Sequence, residues 1–258
     1  MTPLLLFLLG VFAVYVSTVA TAFAALMRLS LRLMAERSDL RDVLRRYLDE
    51  PLRLVITNLP ADHAEMLTFP NHPKNETLGT RAVGFAPQLW IERDDFMEVP
   101  PKGFHRLVPG GEVRLRGVGI VRCTDVVKNA DGSIAAVNCM LDTDTRPGMP
   151  GADRKVKGTI HWVSAKHAVA AEVRLYERLF TTADPDDTSD GKTYADHINR
   201  SAKRVVQAWI EPAAAAAQRE HGLQFERLGY FVADLRDHAD AKPVFNRTVT
   251  LRDSYAKG

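Results

Sequence analysis

"EVRLRGVGIVRCTDVVKNADGSIAAVNCML", residues 112–141, is the stretch whose reading decides the fold. Apolar and polar residues alternate on either side of "KNADGS". Asp131-Gly132 at its centre suits a tight hairpin turn, because such turns need residues at positive φ. Counting outward from the turn places Cys123 and Cys139 roughly opposite each other on paired strands. They are the only cysteines in the chain and do not form a CxxC pair, which argues against a zinc knuckle or a thioredoxin-type motif. Two readings stand: a reduced, semi-buried pair acting as small hydrophobes, or a cross-strand disulfide.

Similar short runs recur on both sides: "LRLVITNL" (52–59), "QLWIER" (88–93), "KVKGTIHWVS" (155–164), "EVRLYERLF" (172–180), "LQFERLGYFVADL" (223–235) and "PVFNRTVTLRD" (243–253). Gly, Pro, Asn and Asp turns separate them. This pattern predicts a mainly β fold, an antiparallel barrel or sandwich or two of them. "NRSAKRVVQAWIEPAAAAAQREHG" (199–222) carries some helical pattern, interrupted by Pro212. No repeat of fixed period is present.

The front end has a different texture. Leu4 to Met27 holds no charged residue and is long enough to cross a hydrocarbon core of about 30 Å. The expectation is a transmembrane helix over 1–27 with the membrane as partner through residues 4–27. The rival is a cleaved signal peptide ending near "TAFAA". Arg28, Arg32, Arg37, Arg41, Arg45 and Arg46 follow, which by the positive-inside rule puts the rest of the chain in the cytoplasm. Residues 28–49 are expected to form a basic amphipathic helix or linker, with apolar residues at near-helical spacing. Their "LRLMAE" resembles the start of the membrane domain of CorC-type magnesium and cobalt efflux proteins.

The 258 residues are 46% hydrophobic with a net charge of +2, enough for a packed core and too balanced to name a nucleic-acid partner from charge alone. No Walker loop, GxGxxG, GxSxG or HExxH motif is present. His161 and His167 stand six apart in "TIHWVSAKH" with no Cys or carboxylate at ligand spacing, so they read as structural or surface histidines rather than a metal pair. Asp142 and Asp144 lack the oxygens and glycine of a calcium loop.

One resemblance covers about four-fifths of the chain. "TFPNHPKNETLGTR" (68–81), "WIERDDF" (90–96), "FHRLVPGGEVRLRG" (104–117), "RKVKGTIHWVSAKHAVAAEVRLYERLF" (154–180), "LQFERLGYF" (223–231) and "KPVFNRTVTLRDSYAK" (242–257) resemble, in order, the C-terminal anticodon-binding region of the glutaminyl-tRNA synthetases. The resemblance implies two tandem antiparallel β barrels over 50–258, with an internal boundary near 155 and the chain crossing between them. It implies tRNA, specific for glutamine, as the partner. In that family glutaminylation is done by an N-terminal domain with HIGH-like and KMSKS-like signatures. Neither occurs here, so the chain is not expected to be an enzyme on its own, and ATP would belong to a catalytic domain these residues do not contain. Two alternatives remain: the C-terminal piece of a split synthetase acting with a separate catalytic subunit, and a non-RNA scaffold on a membrane protein.

The resemblance also assigns residues. Arg106 and Arg116 match arginines that contact anticodon bases, and Arg114 lies two residues earlier on the same strand. Gln224 and Arg227 match a pair that holds the central base. His105 stands where the family often has lysine, and Gly103 where it has a glutamine-like donor. Lys155, Lys157 and Lys166 are candidate phosphate contacts. Arginine suits such a site because its planar fork both stacks on bases and donates paired hydrogen bonds. The same arginines could instead form rim ion pairs with Glu112 or Glu226. Trp90 and Trp162 sit in apolar runs and read as core anchors.

Overall fold

The computed structural model describes residues 44–45, 47–48, 51–187, 189 and 191–250. The strands are β1 (Leu44–Arg45), β2 (Tyr47–Leu48), β3 (Pro51–Ile56), β4 (Glu65–Pro70), β5 (Thr80–Phe85), β6 (Gln88–Glu92), β7 (Glu112–Leu115), β8 (Gly119–Lys128), β9 (Ile134–Asp142), β10 (Thr159–Ile160), β11 (Val163–Ser164), β12 (Val169–Tyr176), β13 (Lys203–Ile210), β14 (Gly222–Phe225), β15 (Gly229–Ala233) and β16 (Val244–Thr250). Among the described residues the one α-helix is the four-residue Pro212–Ala215 (α1).

The strands form two seven-stranded sheets, β10-β7-β8-β9-β3-β6-β11 and β1-β14-β15-β16-β12-β13-β2, plus the β4–β5 ribbon. The two orders match strand for strand. In both sheets a two-residue edge strand runs parallel to its neighbour: Thr159 beside Arg114 and Ile160 beside Leu115 in the first, Leu44 beside Gln224 and Arg45 beside Phe225 in the second. Both central ladders β3–β9 and β12–β16 are also parallel. The fold is a structural duplication that the sequence does not announce, because the pattern of pairing is repeated rather than the residues.

The duplication is interlocked. Only His161 and Trp162 separate β10 from β11, and these are the two edges of the first sheet. Three residue steps reach at most about 11 Å, so that sheet must curl until its edges nearly meet. Only Arg46 separates β1 from β2, the two edges of the second sheet. Each closing segment lies in the chain just before the other sheet's β3 or β12. The chain therefore closes the second sheet before starting the first, and closes the first before building most of the second.

Each curled sheet has its own core. The first is centred on Trp162, fully buried, with the rings of Phe85 and Phe69 edge-on at 5.4 and 6.4 Å. The indole N–H donates to the Arg116 carbonyl at 3.0 Å, so the closing segment is tied to the turn after β7. The second packs Phe225 against Phe231 and Phe245 at 4.8 and 5.3 Å. At its rim Arg174 joins Glu172, Asp234 and Asp237, and Asn246 donates to Asp234. Partial burial pushes the Asp234 carboxyl up, but the backbone N–H groups of Asp237 and Arg236, the Asn246 amide and Arg174 together hold its pKa at about 2.

Several expectations are corrected. The sheets are mixed, with four parallel ladders, rather than antiparallel. Among the described residues no helix is long and apolar enough to cross a membrane, and the described part of 28–49 is strand: β1 and β2 pair with β14 and β13. The architecture of two helices preceding the β domain is therefore not the one found. Residues 1–27, where the span was expected, lie outside the described residues, as do 28–43. The helical pattern of 199–222 survives only in the four residues Pro212–Ala215, and 203–210 is a strand. Residues 203–210 pair with β12 across eight positions, and this ladder overrides the weak local pattern. The hairpin at 112–141 does place Cys123 opposite Cys139, and both are buried free thiols.

Removing residues 1–48 should therefore loosen the second sheet and spare the first. Amides of β13 and β14 should exchange with solvent markedly faster than in the full chain, while the β8–β9 hairpin keeps its protection. Unchanged exchange in β13 and β14 would show that the exchanged segment does not close the sheet.

Candidate nucleic-acid interface

The two sheets meet through polar groups supplied by equivalent turns. The turn Leu115–Gly119 joins β7 to β8, and Phe225–Gly229 joins β14 to β15. Gly117 and Arg227 share φ near +69°, and Gly119 and Gly229 share φ +153°. The N–H of Val118 donates to the Leu115 carbonyl at 3.0 Å, and that of Leu228 to the Phe225 carbonyl at 3.1 Å. Gly229 is required there, since a Cβ would lie 2.4 Å from the Val249 carbonyl oxygen. By this equivalence Arg116 corresponds to Glu226, and these two form an ion pair across the junction. Trp90 and Trp209 also correspond, since each pairs with the closing strand of its own sheet at the same register. Their rings stack with planes 4° apart and centroids at 6.3 Å. Two contacts between equivalent positions mean that a pseudo-twofold axis passes through the junction.

A buried charged cluster at the junction breaks that symmetry. Asp95 ends the short turn Arg93–Asp95 and is fully buried. Its position is fixed by the chain itself: the Leu107 N–H donates to the Asp95 carbonyl at 3.0 Å, and Phe96 bridges to Leu107. Arg106 therefore emerges beside it and pairs with its carboxylate. From the other sheet Arg227 grips the same carboxylate through both terminal nitrogens, at 2.9 and 3.0 Å. Arg227 also lies 3.3 Å from His161 Nδ1, and His161 Nε2 lies 3.9 Å from Glu92. If the guanidinium donates to Nδ1, that nitrogen carries no proton and the ring is the neutral Nε2–H tautomer.

Arg227 is a non-glycine residue in the left-handed region, a conformation that costs about 1–2 kcal/mol. The paired, charge-assisted bonds to Asp95 offset that cost. Near the same junction Arg81 pairs with Glu211 at 2.9 Å, both largely buried, tying the β4–β5 ribbon to the second sheet.

Sequence reasoning thus found part of this site. Arg106, Arg116 and Arg227 come together at the junction, each already paired with a carboxylate. Gln224 is half-buried on β14, opposite Tyr230 and two residues before Glu226. Arg114 takes another direction: it donates to the Thr145 and Arg154 carbonyls at 3.2 and 2.7 Å and pins that loop. His105, Lys155, Lys157 and Lys166 are exposed. Glu112 pairs with Arg154 rather than with a candidate arginine. His167 bonds Ser164 at 3.0 Å, so the two histidines of "TIHWVSAKH" serve different neighbours. Trp162 is core, whereas Trp90 is half-buried at the junction.

Asp95, His161 and Trp209 were not foreseen as site residues. Nothing in "RDDF" signals that one of two adjacent aspartates is buried. That depends on Phe96 and Leu107 drawing the turn inward.

Residues 45–142 and 159–234 each match a family described as class I tRNA synthetases (E and Q), anti-codon binding domain. This stretch belongs to that family. The chain is 66% identical over 207 residues to a glutamine–tRNA ligase of Xylella fastidiosa (strain M12), covering 80% of this chain and 36% of the relative. It is 64% identical over 208 residues to a glutamine–tRNA ligase of Xanthomonas axonopodis pv. citri (strain 306), covering 81% of this chain and 36% of that relative. The chain thus spans about a third of the length of the curated relatives it matches. The matched region begins at Arg45, the second residue of β1, and so takes in β2 and most of the exchanged closing segment.

Removing both Arg106 and Arg227 would leave a buried carboxylate uncompensated, a loss of about 3–5 kcal/mol. Arg106→Ala with Arg227→Ala should therefore be strongly destabilised in denaturant titration. Adding Asp95→Asn to that pair should recover stability, since it removes the stranded charge. No recovery would mean that Asp95 is solvated once the arginines are gone.

Proposed function

We propose that this chain binds tRNA through the anticodon loop, with glutamine tRNA as the preferred partner. The observation that carries this reading is the junction. Two duplicated sheets of an anticodon-binding family bring Arg106, Arg116 and Arg227 to one place. Bases of a single-stranded loop are read when they are splayed out, stacked on flat groups and hydrogen-bonded along their edges. Arg106, Arg116 and Arg227 supply planar donors for that, and Gln224 an amide beside them. Arg114 acts one step removed, by holding the loop at 145–154. His105 and the exposed Lys155, Lys157 and Lys166 contribute to backbone attraction.

Aminoacylation by these 258 residues alone is outside this reading. The sequence carries no HIGH-like or KMSKS-like signature, and the matched region is 36% of the relatives' length. The chain would act where tRNA is charged, in the cytoplasm.

The full chain should bind glutamine tRNA with an affinity that falls steeply with salt, because each neutralised phosphate releases counterions. It should prefer that tRNA over one with an altered anticodon by roughly tenfold or more, since each well-formed base contact discriminates by about 1–3 kcal/mol. Filter binding or fluorescence anisotropy at two salt concentrations measures both. Equal affinity for glutamine tRNA and for a random RNA of equal length would overturn the reading.

A further inference from the structure

The internal symmetry separates what the fold needs from what it does not. Trp90 corresponds to Trp209, so Glu92 corresponds to Glu211, and Asp95 to Ala214. Both segments leave their strand into a short turn, Arg93–Asp95 in one unit and Pro212–Ala215 in the other. The turn partner of Asp95 is Arg227, which corresponds to Gly117. The second copy of this arrangement thus has alanine and glycine where the first has a buried carboxylate and a strained arginine. Ala214 is fully buried without any charge, and the Gly117 turn has the same φ with no side chain. The scaffold therefore closes without the ion pair, and the pair is an addition to it.

We infer that Asp95 is a positioning residue for anticodon reading: one buried carboxylate that holds Arg106 and Arg227, one from each sheet, at fixed places and orientations before RNA arrives. This rests on the function proposed above. The geometry suits the task. Asp95 is fully buried, while the Arg106 and Arg227 side chains remain 34% and 31% exposed, so both can still meet a ligand. Holding two rotamer-rich side chains in place beforehand removes ordering entropy that a base would otherwise have to overcome. Two guanidiniums on one carboxylate also leave a net positive charge at the site. Arg227 sits in the αL region, and from there its fork reaches back across the junction to Asp95. His161, in the first sheet's closing segment, lies against the same fork, and Glu92 of β6 lies near the other nitrogen of its ring.

The test uses the full chain with two variants. Asp95→Asn keeps shape and removes charge. Asp95→Ala with Arg227→Gly copies the residues of the pseudo-symmetric position, so it should fold. Affinities are measured for glutamine tRNA, for the same tRNA with its central anticodon base changed, and for a random RNA of equal length, well below each variant's unfolding temperature. The expected result for Asp95→Asn is that the preference for the unchanged anticodon falls about tenfold, the size of one lost base contact. Affinity for random RNA and its salt slope should stay within about twofold, because no phosphate-facing cation is removed. The double variant should stay folded and lose the preference as well. A purely structural role for Asp95 would lower the unfolding temperature and leave the ratio of affinities unchanged, which would overturn the proposal. A wild-type chain that itself shows no anticodon preference overturns the function proposed above, and the role of Asp95 with it. Preference in the wild type that persists in Asp95→Asn overturns the positioning role alone.

Discussion

The reciprocal exchange of closing segments is the constraint on which the rest depends. Residues 44–45 and 47–48 complete the second sheet, and 159–160 and 163–164 the first, although each pair lies in the chain beside the other sheet's strands. Neither sheet can finish its hydrogen-bond ladder without a segment threaded past its partner. The two cores are separate, one around Trp162 and one around Phe225, yet they cannot drift apart. A polar junction between independent domains would ordinarily be mobile. Here the threading holds the faces together, which permits charged groups rather than a continuous apolar seam.

That permission is used at the junction. Equivalent turns face each other, so Arg116 meets Glu226 and Trp90 meets Trp209. Such pairs follow from the duplication and are consistent with a role in holding the junction. The Asp95 cluster does not follow from it. A buried ion pair is weak evidence for stability, because desolvating the charges offsets much of their attraction. Its occurrence at one of two equivalent places, with Ala214 and Gly117 at the other, argues that the charge serves something other than closure.

Much of the strand content was legible because alternation and turn residues act locally. "KNADGS" forms the turn its composition suggests, with Gly132 at φ +84° and Asp131 accepting from the Ser133 N–H at 2.9 Å. The cross-strand cysteines followed from counting outward from that turn, and the buried Trp162 from its place in an apolar run. What could not be read was non-local. The strand at 203–210 owes its state to an eight-residue ladder with β12, and Leu44–Arg45 and Tyr47–Leu48 are short strands only because β14 and β13 offer free edges. The duplication was invisible since it lies in pairing register, with Arg114 standing for Gln224 and Gly117 for Arg227. Three of the candidate arginines did converge, but the carboxylates that hold them differ in legibility: Glu226 is a visible neighbour in "LQFERLG", while Asp95 is one of two adjacent acids whose burial only the folded turn decides.

The central claim is that the two equivalent turns and the Asp95 cluster form one RNA-facing surface. The most direct measurement is backbone hydrogen exchange of the full chain, free and saturated with glutamine tRNA. Protection should appear together in three segments that are far apart in the chain: residues 102–107, 114–119 and 224–229. Protection in only one sheet's turn, or confined to surfaces away from these three segments, would show that RNA does not engage the junction.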